Sequence, residues 1–224
     1  MLDKRITVFT GNFGSGKTEI SLNYALHLKE KHNINKIAVV DLDVINPYFR
    51  SREKSDLMEE MGIEVIYPKK LKYADLPIIT PDINRLLQND NYYGVIDVGG
   101  DKDGATVLGS IADSVKKTDY ELNLVVNTKR PFTNKVEGIV EMKEMIEDAS
   151  KLSVDNLVCN INVGESTTVE DIKEGYTTVK KASQELNLPI KFISIKEDLL
   201  EDLKKSKYNE ELFTIQRFLK NPWD

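Results

Sequence analysis

The 224-residue chain is 40% hydrophobic and 30% charged, with a net charge of −6. That balance suits a soluble globular fold with a sizeable core, and its acidity argues against a broad nucleic-acid surface, which needs a net basic face. One cysteine, Cys159, excludes an internal disulfide and fits a reducing cytoplasm, and no apolar run is long enough to span a membrane.

Ile6-Thr7-Val8-Phe9 reads as a strand, rich in β-branched and aromatic residues. It starts almost at once, so no signal peptide is expected. Gly11-Asn12-Phe13-Gly14-Ser15-Gly16-Lys17-Thr18 follows and matches the phosphate-binding pattern G-x-x-x-x-G-K-[ST]. Its glycines let successive N–H groups turn inward around a phosphate. Lys17 can reach the β- and γ-phosphates, and the Thr18 hydroxyl can ligate Mg²⁺. Lys17 to Lys31 reads as a helix with Ile20, Tyr24 and Leu28 on one face, its positive end aimed at the anion. His27 and His32 read as solvated positions on or just after it. Strand, loop, helix is the order the motif requires. The alternative is a glycine-rich turn that merely joins the two elements.

Lys36 to Asp43 reads as a strand buried on both faces, because Ile37-Ala38-Val39-Val40 is continuously apolar. Glu64 to Tyr67, Gly94 to Val98, Leu122 to Asn127, Leu157 to Val163 and Ile190 to Ile195 read as further strands. Pro68 to Pro81, with three prolines, reads as a loop or small insertion over the sheet. Lys135 to Lys151 is helical, with Ile139, Met142, Met145 and Ile146 near one face. Val169 to Leu186 is a second long helix. It opens on the capping-box pattern Thr168-Val169-Glu170-Asp171, and Asn187 and Pro189 stop it. Cys159 lies in an apolar run and reads as a small buried hydrophobe. This β-α alternation predicts an α/β fold with a mostly parallel, doubly wound sheet flanked by helices. No linker, repeat or low-complexity tract interrupts it, so residues 1–224 read as one nucleotide-binding domain.

Two strands end in acids: Val39-Val40-Asp41-Leu42-Asp43 and Val95-Ile96-Asp97-Val98-Gly99-Gly100. Doubly wound sheets bind ligands at the carboxyl ends of strands, so Gly11–Thr18, Asp41/Asp43 and Asp97/Gly100 are expected to converge. A carboxylate there can hold Mg²⁺, usually through water. Gly100 can bring a backbone N–H to the γ-phosphate where a side chain would obstruct. The alternative for Asp41 and Asp43 is ordinary capping at a strand end. Asp101 and Asp103 read as solvated loop residues, with metal ligation as the alternative.

The phosphate loop, the VVDLD strand end and the VIDVGG strand end, in this order, resemble the MinD/ParA branch of P-loop ATPases over roughly residues 4 to 196. The resemblance implies a P-loop NTPase fold, ATP and Mg²⁺ as ligands, and a homodimer that closes on ATP. It makes Lys17, Asp43 and Asp97 the catalytic residues and Thr18, Asp43 and Asp97 the metal ligands. Asp43, with Asp41 beside it, falls in switch I, and Asp97 to Gly100 begins switch II. Asn160 matches the family's base-contacting asparagine. In Asn127-Thr128-Lys129-Arg130-Pro131, Pro131 stands where a guanine-reading [NT]-K-x-D would need its aspartate, which favours ATP over GTP.

The chain departs from the family at Asn12, where many members carry a lysine that reaches the partner's nucleotide. Arg50, Arg52, Lys129 or Arg130 could supply that charge instead. There is no C-x-x-C, so no cluster is expected on this chain. The amphipathic segment Glu210 to Lys220 lies where MinD-type proteins carry a membrane-anchoring helix. Its two leading acids and small basic excess argue for packing onto the sheet or a partner instead. The reading that follows is a cytoplasmic Mg-ATP-dependent switch ATPase acting on a protein partner. The alternatives are a small-molecule kinase or ATP-dependent ligase of the same fold, and a nucleotide-binding subunit with negligible turnover.

Overall fold

The computed structural model describes residues 4–32, 34, 36–43, 54–67 and 80–219. Arg50, Arg52 and most of the proline-rich segment lie outside them. In chain order the elements are β1 (Ile6–Thr10), α1 (Lys17–His32), β2 (Ile37–Asp41), α2 (Ser55–Glu60), β3 (Glu64–Ile66), α3 (Pro81–Gln88), β4 (Tyr93–Asp97), α4 (Lys102–Gly109) and α5 (Ala112–Val115). They continue as β5 (Tyr120–Val126), α6 (Val136–Ser150), β6 (Asn156–Cys159), α7 (Val169–Leu186), β7 (Ile190–Lys196), α8 (Leu200–Lys204) and β8 (Glu211–Ile215).

The eight strands form one sheet in the order β3-β2-β4-β1-β5-β6-β7-β8, and every pairing is parallel. A parallel sheet needs cover on both faces, and alternation along β1 shows how it is met. Ile6 and Val8 join a core with residues of α3 to α7, while Phe9 joins a second core with α1 and α2. In that second core Phe9, Tyr24, Phe192 and Phe213 form edge and stacked ring contacts.

The segment from Glu210, expected to pack onto the sheet or a partner, joins the sheet itself. Glu211–Ile215 is β8, which extends the sheet beyond β7. Helix α1 is buried well beyond one apolar face, because Phe213, Phe218 and Leu219 pack in the same core. His27 is half-buried with its ring against Phe213 rather than solvated. The short helices α2 to α5 and α8 carry too few turns to show a helical period in sequence.

Cys159 is fully buried, and burial pushes its thiol pKa far above the ordinary value, which leaves it unreactive. At α7 the capping box forms in both directions: Thr168 Oγ1 accepts from the Asp171 N–H at 3.1 Å, and the Asp171 carboxylate accepts from the Thr168 N–H at 3.0 Å. Asn187 ends the helix in the left-handed region. Thr168→Ala is expected to cost about 1 kcal/mol, read as a shift in the urea midpoint with no change in slope.

Candidate functional site

Strand pairing brings the predicted site together. β4 lies between β2 and β1, with Phe9 beside Asp97 and Asp41 beside Asp97 in register. The ladder continues past the strand ends, where Val98 donates to the Phe9 carbonyl at 3.0 Å and Leu42 donates to the Asp97 carbonyl at 2.8 Å. The carboxyl ends of three strands therefore finish side by side.

The loop after β1 depends on glycine twice over. Gly14 and Gly16 hold φ of +73° and +88°, a region costly to residues with a Cβ. A Cβ on Gly16 would also collide with the Asn160 side chain, and one on Gly100 with the Gly11 carbonyl. Gly100 thus packs directly on the first residue of the loop. Asn12 is occupied locally: its side chain accepts from the Phe13 N–H at 2.8 Å, and its carbonyl accepts from Ser15 at 2.9 Å.

Lys17 and Thr18, the first residues of α1, are almost wholly buried, as are Asp41, Asp43 and Asp97. The Lys17 ammonium lies 2.8 Å from Asp43 Oδ2. Burial opposes the Lys17 charge, yet Asp43, Asp97 and Asp101 outweigh it and hold its pKa above the ordinary lysine value. Asp41 accepts the Asp43 N–H at 3.1 Å and so orients the strand end. The Asp97 pKa is pushed up to about 7, chiefly by burial, with Lys17 opposing and Asp41 and Asp43 adding to the rise. Asp101 caps α4 by accepting from Gly104 at 2.7 Å, and Asp103 is exposed on that helix.

Asn160 sits beneath the loop. Its Nδ2 donates to the Ser15 carbonyl at 2.6 Å, and its Oδ1 accepts from Ser194 at 2.6 Å. The asparagine of that turn lining the cavity is Asn162. The loop after β5 braces the same place. Arg130 Nε donates to the Gly14 carbonyl at 2.9 Å, and Asn127 Nδ2 to the Asn162 carbonyl at 2.8 Å. Lys129 points elsewhere, pairing with Asp171 at 2.8 Å and Glu174 at 3.0 Å.

A cavity of about 250 Å³ opens beside the loop. Gly14, Gly16, Lys17, Thr18 and Arg130 line one part. Glu19 on α1, Asn162, Gly164 and Glu165 after β6, Lys196 at the end of β7, and Ile215, Arg217 and Leu219 at and beyond β8 line the rest. Only Asn162 had a signal in sequence, through its place two residues past Asn160.

The oxygen donors of Thr18, Asp43 and Asp97 suit a hard cation. The buried Ser15 hydroxyl has no hydrogen-bond partner among the described residues. No group of three or more acidic, histidine or cysteine side chains that could hold a metal is found among the described residues.

No family model and no curated protein sequence matches the chain. Solved structures do match in fold. FtsY from Mycoplasma mycoides aligns at 17% identity and a TM-score of 0.58, over 87% of this chain and 61% of that one. FlhF complexed with GTP and Mg²⁺ aligns at 15% and 0.54, over 86% and 66%. The signal recognition particle 54 kDa protein of Aeropyrum pernix K1, in complex with GDP, aligns at 22% and 0.54, over 84% and 40%. This chain spans about three fifths of the length of the FtsY structures (61% and 62%). The likeness shows the P-loop NTPase fold; it does not by itself show the MinD/ParA branch.

The raised Asp97 pKa has a sign that can be measured. The native carboxyl holds its proton more tightly than the unfolded one, whose pKa is 3.8. Its contribution to stability is therefore full below pH 3.8 and is lost as pH rises through about 7. In nucleotide-free protein, the stability of wild type relative to Asp97→Asn is expected to fall across that window and level off above it. Urea denaturation at stepped pH reads this directly.

Proposed function

We propose that the chain binds a Mg²⁺-nucleoside triphosphate, with ATP as the nucleotide, hydrolyses it, and uses the cycle to change its affinity for a protein partner. The observation that carries this reading is the buried cluster of the Lys17 ammonium, the Thr18 hydroxyl and the Asp43 and Asp97 carboxylates directly beside the glycine loop.

Each group has a task in that reading. The loop N–H groups and Lys17 bind the β- and γ-phosphates, Lys17 exchanging its Asp43 contact for phosphate oxygen. Thr18, Asp97 and Asp43 would hold Mg²⁺, which when bound neutralises charge between those phosphates. Asp43, relieved of Lys17, orients the attacking water. Gly100 rests on Gly11, so a γ-phosphate beside the loop bears on the segment that runs from Asp97 into α4. With Asn12 turned to local bonding, Arg130 is the nearby cation that a second subunit's lysine need not supply. A homodimer remains part of the proposal.

ATP is favoured by the cavity's acids. Glu19 and Glu165 are its carboxylates among the described residues. Glu19 accepts the Phe218 and Leu219 N–H groups, and Glu165 pairs with Arg217 at 3.1 Å. Both carboxylates are thus already engaged within the chain, which supports ATP. FlhF complexed with GTP and the 54 kDa protein in complex with GDP, similar in fold, favour the second reading, a GTP-driven switch. No helix among the described residues is long and apolar enough to cross a membrane.

Calorimetric titration is expected to show Mg-ATP binding at least about tenfold tighter than Mg-GTP, a difference near 1.4 kcal/mol. The reverse order replaces ATP by GTP and keeps the switch. Lys17→Ala is expected to lower phosphate release by about 10² to 10³-fold while the far-ultraviolet circular dichroism stays native. Undiminished turnover in that variant would falsify the site. Identical partner affinity and oligomeric state with ATP, ADP and no nucleotide would remove the switch.

A further inference from the structure

The chain returns to its first helix at the far end. β8 pairs with β7, and the residues that follow it reach α1. Asn23 pairs with Gln216 in both directions: its Nδ2 donates to the Gln216 carbonyl at 2.9 Å, and its Oδ1 accepts the Gln216 N–H at 2.8 Å. One turn earlier, the Glu19 carboxylate accepts the N–H of Phe218 and that of Leu219, the latter at 3.1 Å. Phe218 and Leu219 are buried in the core that surrounds α1.

These backbone groups lie beyond the sheet ladder, and buried N–H groups require acceptors. Here the acceptors are side chains of α1, so the path of the segment is set by the helix that carries Lys17 and Thr18. Glu19 is two residues past Lys17.

The same segment faces the cavity. Ile215 and Leu219 give it an apolar surface, and Arg217 bridges to Glu165 in the turn after β6, at 3.1 Å. Arg217 Nε also donates to the Leu219 carbonyl at 3.1 Å, which fixes the bend. With phosphates at the glycine loop, the rest of the cavity offers the apolar carbon of Ile215 and Leu219 and the Asn162 amide beside the ion-paired Glu165, Lys196 and Arg217, polar and apolar groups of the kind that hold a nucleoside.

We propose that residues 215–219 form the nucleoside-binding wall, and that Glu19 and Asn23 are positioning residues that clasp this wall to the phosphate-binding helix. The proposal rests on the nucleotide-binding reading above and adds the residues that govern affinity for the base and sugar.

The test separates the nucleoside from the phosphates. Wild type, Glu19→Ala, Glu19→Gln, Asn23→Ala and Arg217→Ala are each titrated with Mg-ATP, Mg-GTP and inorganic tripolyphosphate, and KM and kcat are measured for the preferred nucleotide. Glu19→Ala is expected to weaken nucleotide binding about tenfold or more, with tripolyphosphate affinity and kcat unchanged within about twofold. Glu19→Gln, which keeps one acceptor oxygen, is expected to recover part of the loss. If Glu19→Ala fails to fold, Arg217→Ala, which cuts the bridge at the partly exposed Arg217 side chain, is expected to show the same split. Equal loss for nucleotide and tripolyphosphate, or no loss in any variant, overturns the wall. Wild type that binds tripolyphosphate as tightly as ATP and GTP overturns it and leaves the phosphate site standing. Wild type that binds neither ligand overturns the nucleotide reading as well.

Discussion

Burying the Lys17 ammonium is the constraint around which this molecule is arranged. An isolated charge in a protein interior is costly, and it persists only where opposite charge is fixed nearby. Asp43 and Asp97 supply that charge from two different strands. Both carboxylates reach the first turn of α1 only because β2, β4 and β1 run parallel and end level, with Asp97 in register with Phe9 on one side and Asp41 on the other. An antiparallel neighbour would deliver its carboxyl end to the opposite edge of the sheet. The strand order and the charge balance are one requirement seen twice. The same balance leaves Asp97 poised near pH 7, because burial raises its pKa more than Lys17 and Thr18 lower it.

The loops around that cluster are held by side chains rather than by regular structure. Arg130 and Asn160 each donate to a carbonyl of the glycine loop, and Asn127 reaches the turn that contains Asn162. Such bonds satisfy carbonyls that no strand or helix pairs, and they fix the path of the glycine loop. Lys129, one residue from Arg130, is turned to Asp171 and Glu174 instead. Asp171 also closes the capping box of α7, so this helix start anchors the loop from the outside. Braced loops on a parallel sheet and a segment tied to α1 thus border the cavity from two sides.

The local chemistry was legible in the chain itself. The pattern from Gly11 to Thr18 implies its own geometry, since only glycine tolerates the backbone at Gly14 and Gly16. The apolar run Ile37–Val40 announces a strand buried on both faces, and Asp41, Asp43 and Asp97 stand at strand ends where a parallel sheet presents its ligands. The helix from Val169 to Leu186 carries its start and stop signals in neighbouring residues, Thr168, Asp171 and Asn187.

What the sequence determined by itself is therefore everything that depends on residues a few positions apart: the strand-loop-helix order, the long helices, the acidic strand ends and the α/β class. Only the tertiary structure decided which partners those pieces take. It turned the segment after Glu210 into an eighth strand, set Asn160 beneath the loop and Asn162 in the cavity, and chose Arg130 over Lys129 as the residue at Gly14. It also joined Asn23 to Gln216 and Glu19 to Leu219, across 193 and 200 positions of chain. Periodicity reports which face of an element is buried, but not what covers it. That choice is made by packing between residues far apart in the chain, and no local pattern carries it.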